Sequence, residues 1–193
     1  VRLRTYTARI ENWFSDTGAM SIGWLYKITL LGLALFVLWD ANGYRLPTEA
    51  EWEKAARGGL VGNHFPWPST NSSFASDIDG TKANYVNSTD AYETASPSDT
   101  DTTPVGYYNS AQVIGGIVQG ADMTNGYGLY DMAGNVYEWG ASTSRLPDGA
   151  AAARGGSWAE RDPALLDPGR RQVFPAGYRG RDVGFRVLRE WKE

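Results

Sequence analysis

The chain has 193 residues, a formal net charge of −4, no cysteine and one histidine, His64. Those counts exclude disulfides, thiolate metal sites, thiol catalysis and any site needing two imidazoles from this chain, and the acidic balance argues against a nucleic-acid partner. Eight Trp, eleven Tyr and 23 Gly point to a loop-rich body in which aromatic anchors do much of the packing.

The length fits one domain plus an appendage. In residues 1–39, Arg2, Arg4, Arg9 and Lys27 outnumber Glu11 and Asp16, so the acidic excess lies in the remainder. Residues 20–39 carry one charge, Lys27. A helix of that length spans about 30 Å, one hydrocarbon core. Trp24, Tyr26 and Trp39 stand near its ends, where interfacial aromatics are favoured, and Lys27 is placed to snorkel. The run reads as a transmembrane helix, with a buried core helix and a signal-peptide hydrophobic region as alternatives. Against the core helix, the run is apolar all round. Against the signal peptide, no Ala-x-Ala pattern follows, and the run stops at Asp40-Ala41-Asn42-Gly43. The upstream arginines orient such a helix with its amino terminus in the cytoplasm. The globular domain, residues 40–193, is then extracytoplasmic, and periplasmic in a bacterium.

Further along, Pro47-Thr48-Glu49-Ala50-Glu51 predicts a helix with Thr48 as N-cap and Glu51 completing a capping box. Trp52, Ala55 and Ala56 form its buried face, and Gly58-Gly59 ends it. Residues 60–124 read mostly as loop, with Thr103-Pro104-Val105-Gly106 leading into a strand. Strands are expected at Arg154-Gly155-Gly156-Ser157-Trp158, after four alanines, and over residues 183–188. Irregular stretches this long need an internal fastener, because unpaired loop backbone is costly to bury.

Three motifs follow in one order: Gly43-Tyr44-Arg45-Leu46-Pro47 through Trp52; Asn125-Gly126-Tyr127-Gly128-Leu129-Tyr130-Asp131-Met132-Ala133-Gly134-Asn135 through Glu138-Trp139; and Arg154-Gly155-Gly156-Ser157-Trp158 with Gly184-Phe185-Arg186. Together they resemble the formylglycine-generating enzyme, or sulfatase-modifying factor, family. The resemblance covers roughly residues 41–190 and implies an α+β, C-type-lectin-like fold, loop-rich, here behind an amino-terminal hydrophobic helix. The family's opening strands and first helix have no clear counterpart in residues 1–40. A trimmed fold, complementation by a partner chain, or a fusion with a membrane anchor would each account for that.

The resemblance also implies structural calcium. One family site maps onto Asp131, Gly134, Val136 and Glu138, where oxygens at i, i+3, i+5 and i+7 close on a carboxylate and suit a hard cation. The alternative is that Glu138 only hydrogen-bonds a turn. A second site maps onto Asn84 and Tyr85 with a later aspartate, from Asp90, Asp99 and Asp101. Trp158 and Phe185 are expected in the core. Arg45, Arg170 and Arg186 are expected buried and paired with Glu49, Glu51 or Glu138, since a buried guanidinium must be neutralised.

The family's oxygen-dependent enzymes bind copper through two cysteines after the Gly-Gly-Ser-aromatic motif. Those positions fall near Glu160 and Leu165, neither of which offers a soft thiolate. Relatives that make ergothioneine use several histidines, and His64 alone cannot replace them. The expectation is therefore a non-catalytic accessory or interaction subunit. It docks on or stabilises a membrane protein complex, and residues 20–39 sit in the lipid bilayer. The alternatives are a ligand-binding variable protein of the diversity-generating retroelement type and a divergent enzyme of the family. The segment those variable proteins diversify corresponds to residues 159–183. Its candidate partner or ligand surface comprises Glu160, Arg161, Arg171, Gln172, Phe174, Tyr178 and Arg181.

Overall fold

A computed structural model of the chain describes residues 43–69, 77–90, 101–111, 113–114, 117–118, 121–141 and 146–190. The hydrophobic run at 20–39 and Asp99 lie outside them. Among the described residues no helix is long and apolar enough to cross a membrane. The chain divides into two units, residues 1–46 with 187–193, and residues 47–186. In the first, strand β1 (Tyr44–Arg45) pairs antiparallel with the last strand, β8 (Leu188–Arg189).

The second unit begins with helix α1 (Glu49–Arg57), which forms as its sequence dictates. The Thr48 hydroxyl accepts from the Glu51 amide at 3.3 Å, and the Glu51 carboxylate accepts from the Thr48 amide at 2.8 Å. This reciprocal box satisfies two amides that the first turn leaves unpaired. At the other end Gly58 turns left-handed. The Asn125 side-chain amide then donates to the carbonyls of Ala55 and Ala56, at 2.7 and 3.0 Å. Asn125 thus acts as a remote cap for carbonyls that the last turn leaves open.

Strands β2 (Val113–Ile114) and β3 (Ile117–Val118) form a small antiparallel pair. The main sheet holds β4 (Tyr137–Trp139), β5 (Ala150–Arg154), β6 (Gln172–Pro175) and β7 (Val183–Gly184), in the order β6-β5-β4-β7. It is mixed, because β4 and β7 run parallel while the other pairs are antiparallel. Three strand expectations are corrected here. The strand expected at Arg154-Gly155-Gly156-Ser157-Trp158 is the alanine run before it. Gly155 and Gly156, at φ of +96° and +73°, turn the chain out of the sheet in a conformation side chains resist. The single closing strand over 183–188 is two strands, β7 and β8, in different sheets. Thr103-Pro104-Val105-Gly106 is a turn, closed by the Tyr107 amide on the Pro104 carbonyl at 3.0 Å.

Strand register assigns side chains to two faces. Glu138 faces Arg154 across β4 and β5, and both reach α1. The opposite face carries Tyr137 and Trp139 on β4, Ala151 and Ala153 on β5, and Gln172 and Phe174 on β6. The alanines are small enough for rings on the two strands flanking β5 to meet over them: the Trp139 and Phe174 centroids are 5.7 Å apart.

The core is built mainly from loop aromatics, as the composition suggests. Phe65 stacks on Trp67 at 5.1 Å, and Tyr107 meets Tyr108 edge-on. Ile78, Ala83, Met123, Ala133 and Leu166 complete the cluster, with Leu166 supplied by a 3-10 turn at Pro163–Leu166. Trp158 and Phe185, expected in the core, are only half-buried. On α1, Trp52 and Ala56 are buried as expected, and so is Glu49.

Candidate functional site

The second motif and the final Gly-Phe-Arg meet at Glu138. Arg186 lies against it with Nε on Oε2 and a terminal nitrogen on Oε1 at 2.6 Å, while Trp52 of α1 donates its indole N–H to Oε2 at 2.7 Å. Arg186 also donates to the carbonyls of Tyr130 and Asp131, at 3.3 and 3.2 Å. Burial disfavours its charge most strongly, but the carboxylates of Glu138 and Asp131 together outweigh it and hold the guanidinium above its usual pKa. Such a pair is stable only with every oxygen and N–H partnered, and that condition is met at the carboxylate.

Asp131 shares this corner. Its Oδ2 accepts from the Gly106 amide at 2.7 Å, and its Oδ1 is enclosed without a hydrogen-bond partner. Desolvation pushes the carboxyl up to about 6, opposed by the Gly106 amide and Arg186 and reinforced by the charge of Glu138. Gly134 runs against the other loop: a Cβ there would lie 2.3 Å from the Asn84 carbonyl oxygen. Only glycine allows that approach, and it lets the Asn135 amide donate to the same carbonyl at 2.9 Å. Val136 is half-buried against Gly184.

Buried Asn84, Thr103 and Asn135 and half-buried Asp101 form one polar node. The Asn84 side-chain amide donates to the Asp101 carbonyl at 3.2 Å. Asn135 exchanges two hydrogen bonds with the backbone of Thr103, each 3.2 Å. Asn84 Oδ1 and Thr103 Oγ1 remain buried without a hydrogen bond. Of the three candidate aspartates, Asp101 is thus tied to Asn84, whereas Asp90 is buried and takes the Ser88 hydroxyl at 3.2 Å. Tyr85 packs against the core, its hydroxyl pKa raised by burial and then by Asp79. Among the described residues no group of three His, Cys, Asp or Glu is arranged to hold a metal. A calcium ion would have to draw on mixed oxygens. The unmet oxygens of Asp131, Asn84 and Thr103 fit that requirement. Glu138 fits it less well, because Arg186 and Trp52 already occupy both its oxygens.

The candidate partner surface divides between the two faces of the sheet. Phe174 stacks on Tyr178 at 4.7 Å and meets Tyr137 and Trp139 edge-on. Gln172 shares that face by register. Glu160 accepts from the Tyr137 hydroxyl at 2.8 Å; burial and then this bond raise the Tyr137 pKa. The Tyr178 hydroxyl, raised by its bond to Asp182, donates to it at 3.0 Å. Arg161 is exposed. Arg171 lies on the helix side, 3.5 Å from Glu49. Arg181 reaches Asp101 at 2.5 Å. Tyr137 and Trp139 belong to the aromatic face as much as Phe174 does. Their spacing of two, matched to Ala151 and Ala153, is the sequence signal for it.

The arginine expectations hold for Arg186 and differ elsewhere. Arg45 pairs with Glu190 at the surface, 2.7 Å away, and Arg170 is exposed. The carboxylates assigned to them are taken: Glu51 caps α1, and Glu49 receives Arg154 at 3.3 Å and Arg171. Arg154, a buried cation ending an alanine strand, also donates to Glu53 and to the Pro168 carbonyl, at 3.3 and 2.7 Å. His64 stays a loop residue, its Nδ1 3.6 Å from Asp167.

A loop-rich mixed-sheet domain with few helices, fastened by buried ion pairs and an asparagine-rich node, is the class this geometry defines. The sulfatase-modifying factor enzyme 1-like domain matches residues 5–191, and the chain belongs to that family. The match takes in the amino-terminal stretch for which the motifs show no counterpart. The serine/threonine-protein kinase Pkn1 of Chlamydia trachomatis serovar L2 is 38% identical over 112 residues, 58% of this chain and 12% of the kinase. The inactive C-alpha-formylglycine-generating enzyme 2 of Bos taurus is 38% identical over 118 residues, 61% of this chain and 33% of that protein. The formylglycine-generating enzyme of Thermomonospora curvata is 40% identical over 97 residues, 50% of this chain and 26% of the enzyme. The chain therefore spans 12% to 33% of the length of these relatives. Among solved structures, PvdO from Pseudomonas aeruginosa aligns over 88% of this chain and 57% of its own, with a TM-score of 0.55 and 28% identity.

Proposed function

We infer that this chain is a non-catalytic accessory or interaction subunit. Residues 20–39 anchor it in a membrane, and the domain of residues 40–193 binds a membrane protein complex on the extracytoplasmic side. The observation that carries the reading is what stands where the family's thiolate pair would be. Glu160 is occupied by the Tyr137 hydroxyl, Leu165 lies in a 3-10 turn, and the chain has no cysteine. A relative named inactive supports it, while others are named as enzymes. The second reading, a display surface for a ligand, is favoured by the ring face around Phe174, where Tyr178 stands 37% exposed. In either reading, calcium at Asp131 and at the Asn84–Asp101 node fastens the loops, with the carbonyls of Gly134, Val136 and Tyr85 and the carboxylate of Glu138 as further oxygens.

Incubated with a sulfatase peptide, copper and oxygen, the chain is expected to leave the peptide unmodified. Aldehyde above a no-protein control would overturn the non-catalytic reading. Carbonate washing of membranes is expected to leave the full chain in the pellet and to release a chain starting at Asp40, because twenty nearly uncharged residues favour the bilayer interior. A full chain that washes off as a soluble monomer removes the anchor.

A further inference from the structure

We propose that Arg181 is a built-in competitor for the cation site at Asn84 and Asp101, so that calcium binding there releases Arg181 to the partner surface. This rests on the calcium reading above. The Arg181 side chain is 77% exposed, yet its guanidinium reaches inward to Oδ2 of Asp101, whose side chain is only 18% exposed. That oxygen is buried and accepts no hydrogen bond, and among the described residues the cation it meets is Arg181. A guanidinium is a poor occupant of such a place. It is planar, carries one charge and here meets the carboxylate of Asp101 alone among the described residues. It leaves Asn84 Oδ1 and Thr103 Oγ1 unmet, although both residues are at least nineteen-twentieths buried and tied to the same node. A divalent ion held by Asp101 accepts six to eight oxygens, so the unmet oxygens of the same node, Asn84 Oδ1 first, are available to it. Calcium therefore brings a second charge and a larger oxygen shell, and Arg181 loses an ion pair exposed at its own end and buried at the carboxylate.

The freed side chain belongs to the segment that carries Tyr178 and Asp182, beside the rings of Phe174 and Trp139. Metal binding would thus alter the charge presented by that face. Coupling is reciprocal: a partner with a carboxylate for Arg181 would raise calcium affinity by the factor by which calcium raises the partner's.

The test is calorimetric titration of the full chain with calcium alone, comparing wild type, Arg181→Gln and Arg179→Gln. Arg179 is exposed and two residues away, so its substitution reports the effect of losing one positive charge nearby. A surface ion pair shifts an equilibrium by about fivefold, and the exposed arginine end keeps this pair near that range. The Arg181→Gln protein is therefore expected to bind calcium about two- to fivefold more tightly than wild type, with a smaller change for Arg179→Gln. In the wild type, the Arg181 Nε–H resonance should move with calcium occupancy. Equal or weaker binding by Arg181→Gln than by Arg179→Gln overturns the competition and leaves calcium binding standing. Absence of binding heat in all three proteins overturns both.

Discussion

Replacing Arg186 with methionine is expected to lower the unfolding free energy by about 3–5 kcal/mol, the usual cost of stranding one charge of a buried pair. Arg186 is 3% exposed and Glu138 is 6% exposed, so neither charge has water to fall back on. The loss has a definite source: Glu138 would keep the Trp52 N–H and lose both bonds to the guanidinium. Adding Glu138→Gln removes the stranded charge while leaving an oxygen for Trp52, so the double variant should recover part of the deficit. Urea denaturation of the three proteins measures this. A loss below about 1 kcal/mol for Arg186→Met would mean that the pair contributes no more than a surface ion pair.

Chelation should have the next largest effect. A ligand that binds only the folded chain stabilises it by RT ln(1 + [L]/Kd), about 2.7 kcal/mol at a hundredfold excess over Kd. For a domain of this size that corresponds to a fall of roughly 5–10 °C in Tm when calcium is removed. Asp131→Asn and Asn84→Ala should each shrink the difference between calcium and chelator. These positions are cleaner probes than Glu138, whose substitution also disturbs Arg186 and Trp52. Identical melting curves with calcium and with chelator would count against both sites.

Local chemistry in the sequence was enough to define α1, because a capping box and a glycine stop act within one turn of the residues that make them. The order of the three motifs likewise carried the family, and the cost of a buried guanidinium carried the pairing of Arg186 with a carboxylate, left open among Glu49, Glu51 and Glu138. What sequence spacing did not carry are contacts between distant segments. Arg154 meets Glu49 across 105 positions, and no periodicity records that. Residues 183–188 look like one strand because apolar residues recur there, yet pairing with β4 ends at Gly184 and pairing with β1 starts at Leu188. Asp101 was one of three equivalent aspartates in the sequence. Its bond to Asn84 and its contact with Arg181 distinguish it from Asp90 only once the loops are folded together.

The alternation along β4, β5 and β6 has a consequence for how the protein tolerates change. The ion pairs of Glu138 and Arg154 and the rings of Tyr137, Trp139 and Phe174 occupy opposite sides of the same sheet, so they share backbone but no side-chain partner. Substitutions on the two sides should then combine additively, since energetic coupling is strongest between residues in contact. A lineage can rewrite Gln172, Phe174 and Tyr178 to meet a new partner without touching the ion pairs of Glu138 and Arg154, because those lie on the other side of the alanines of β5.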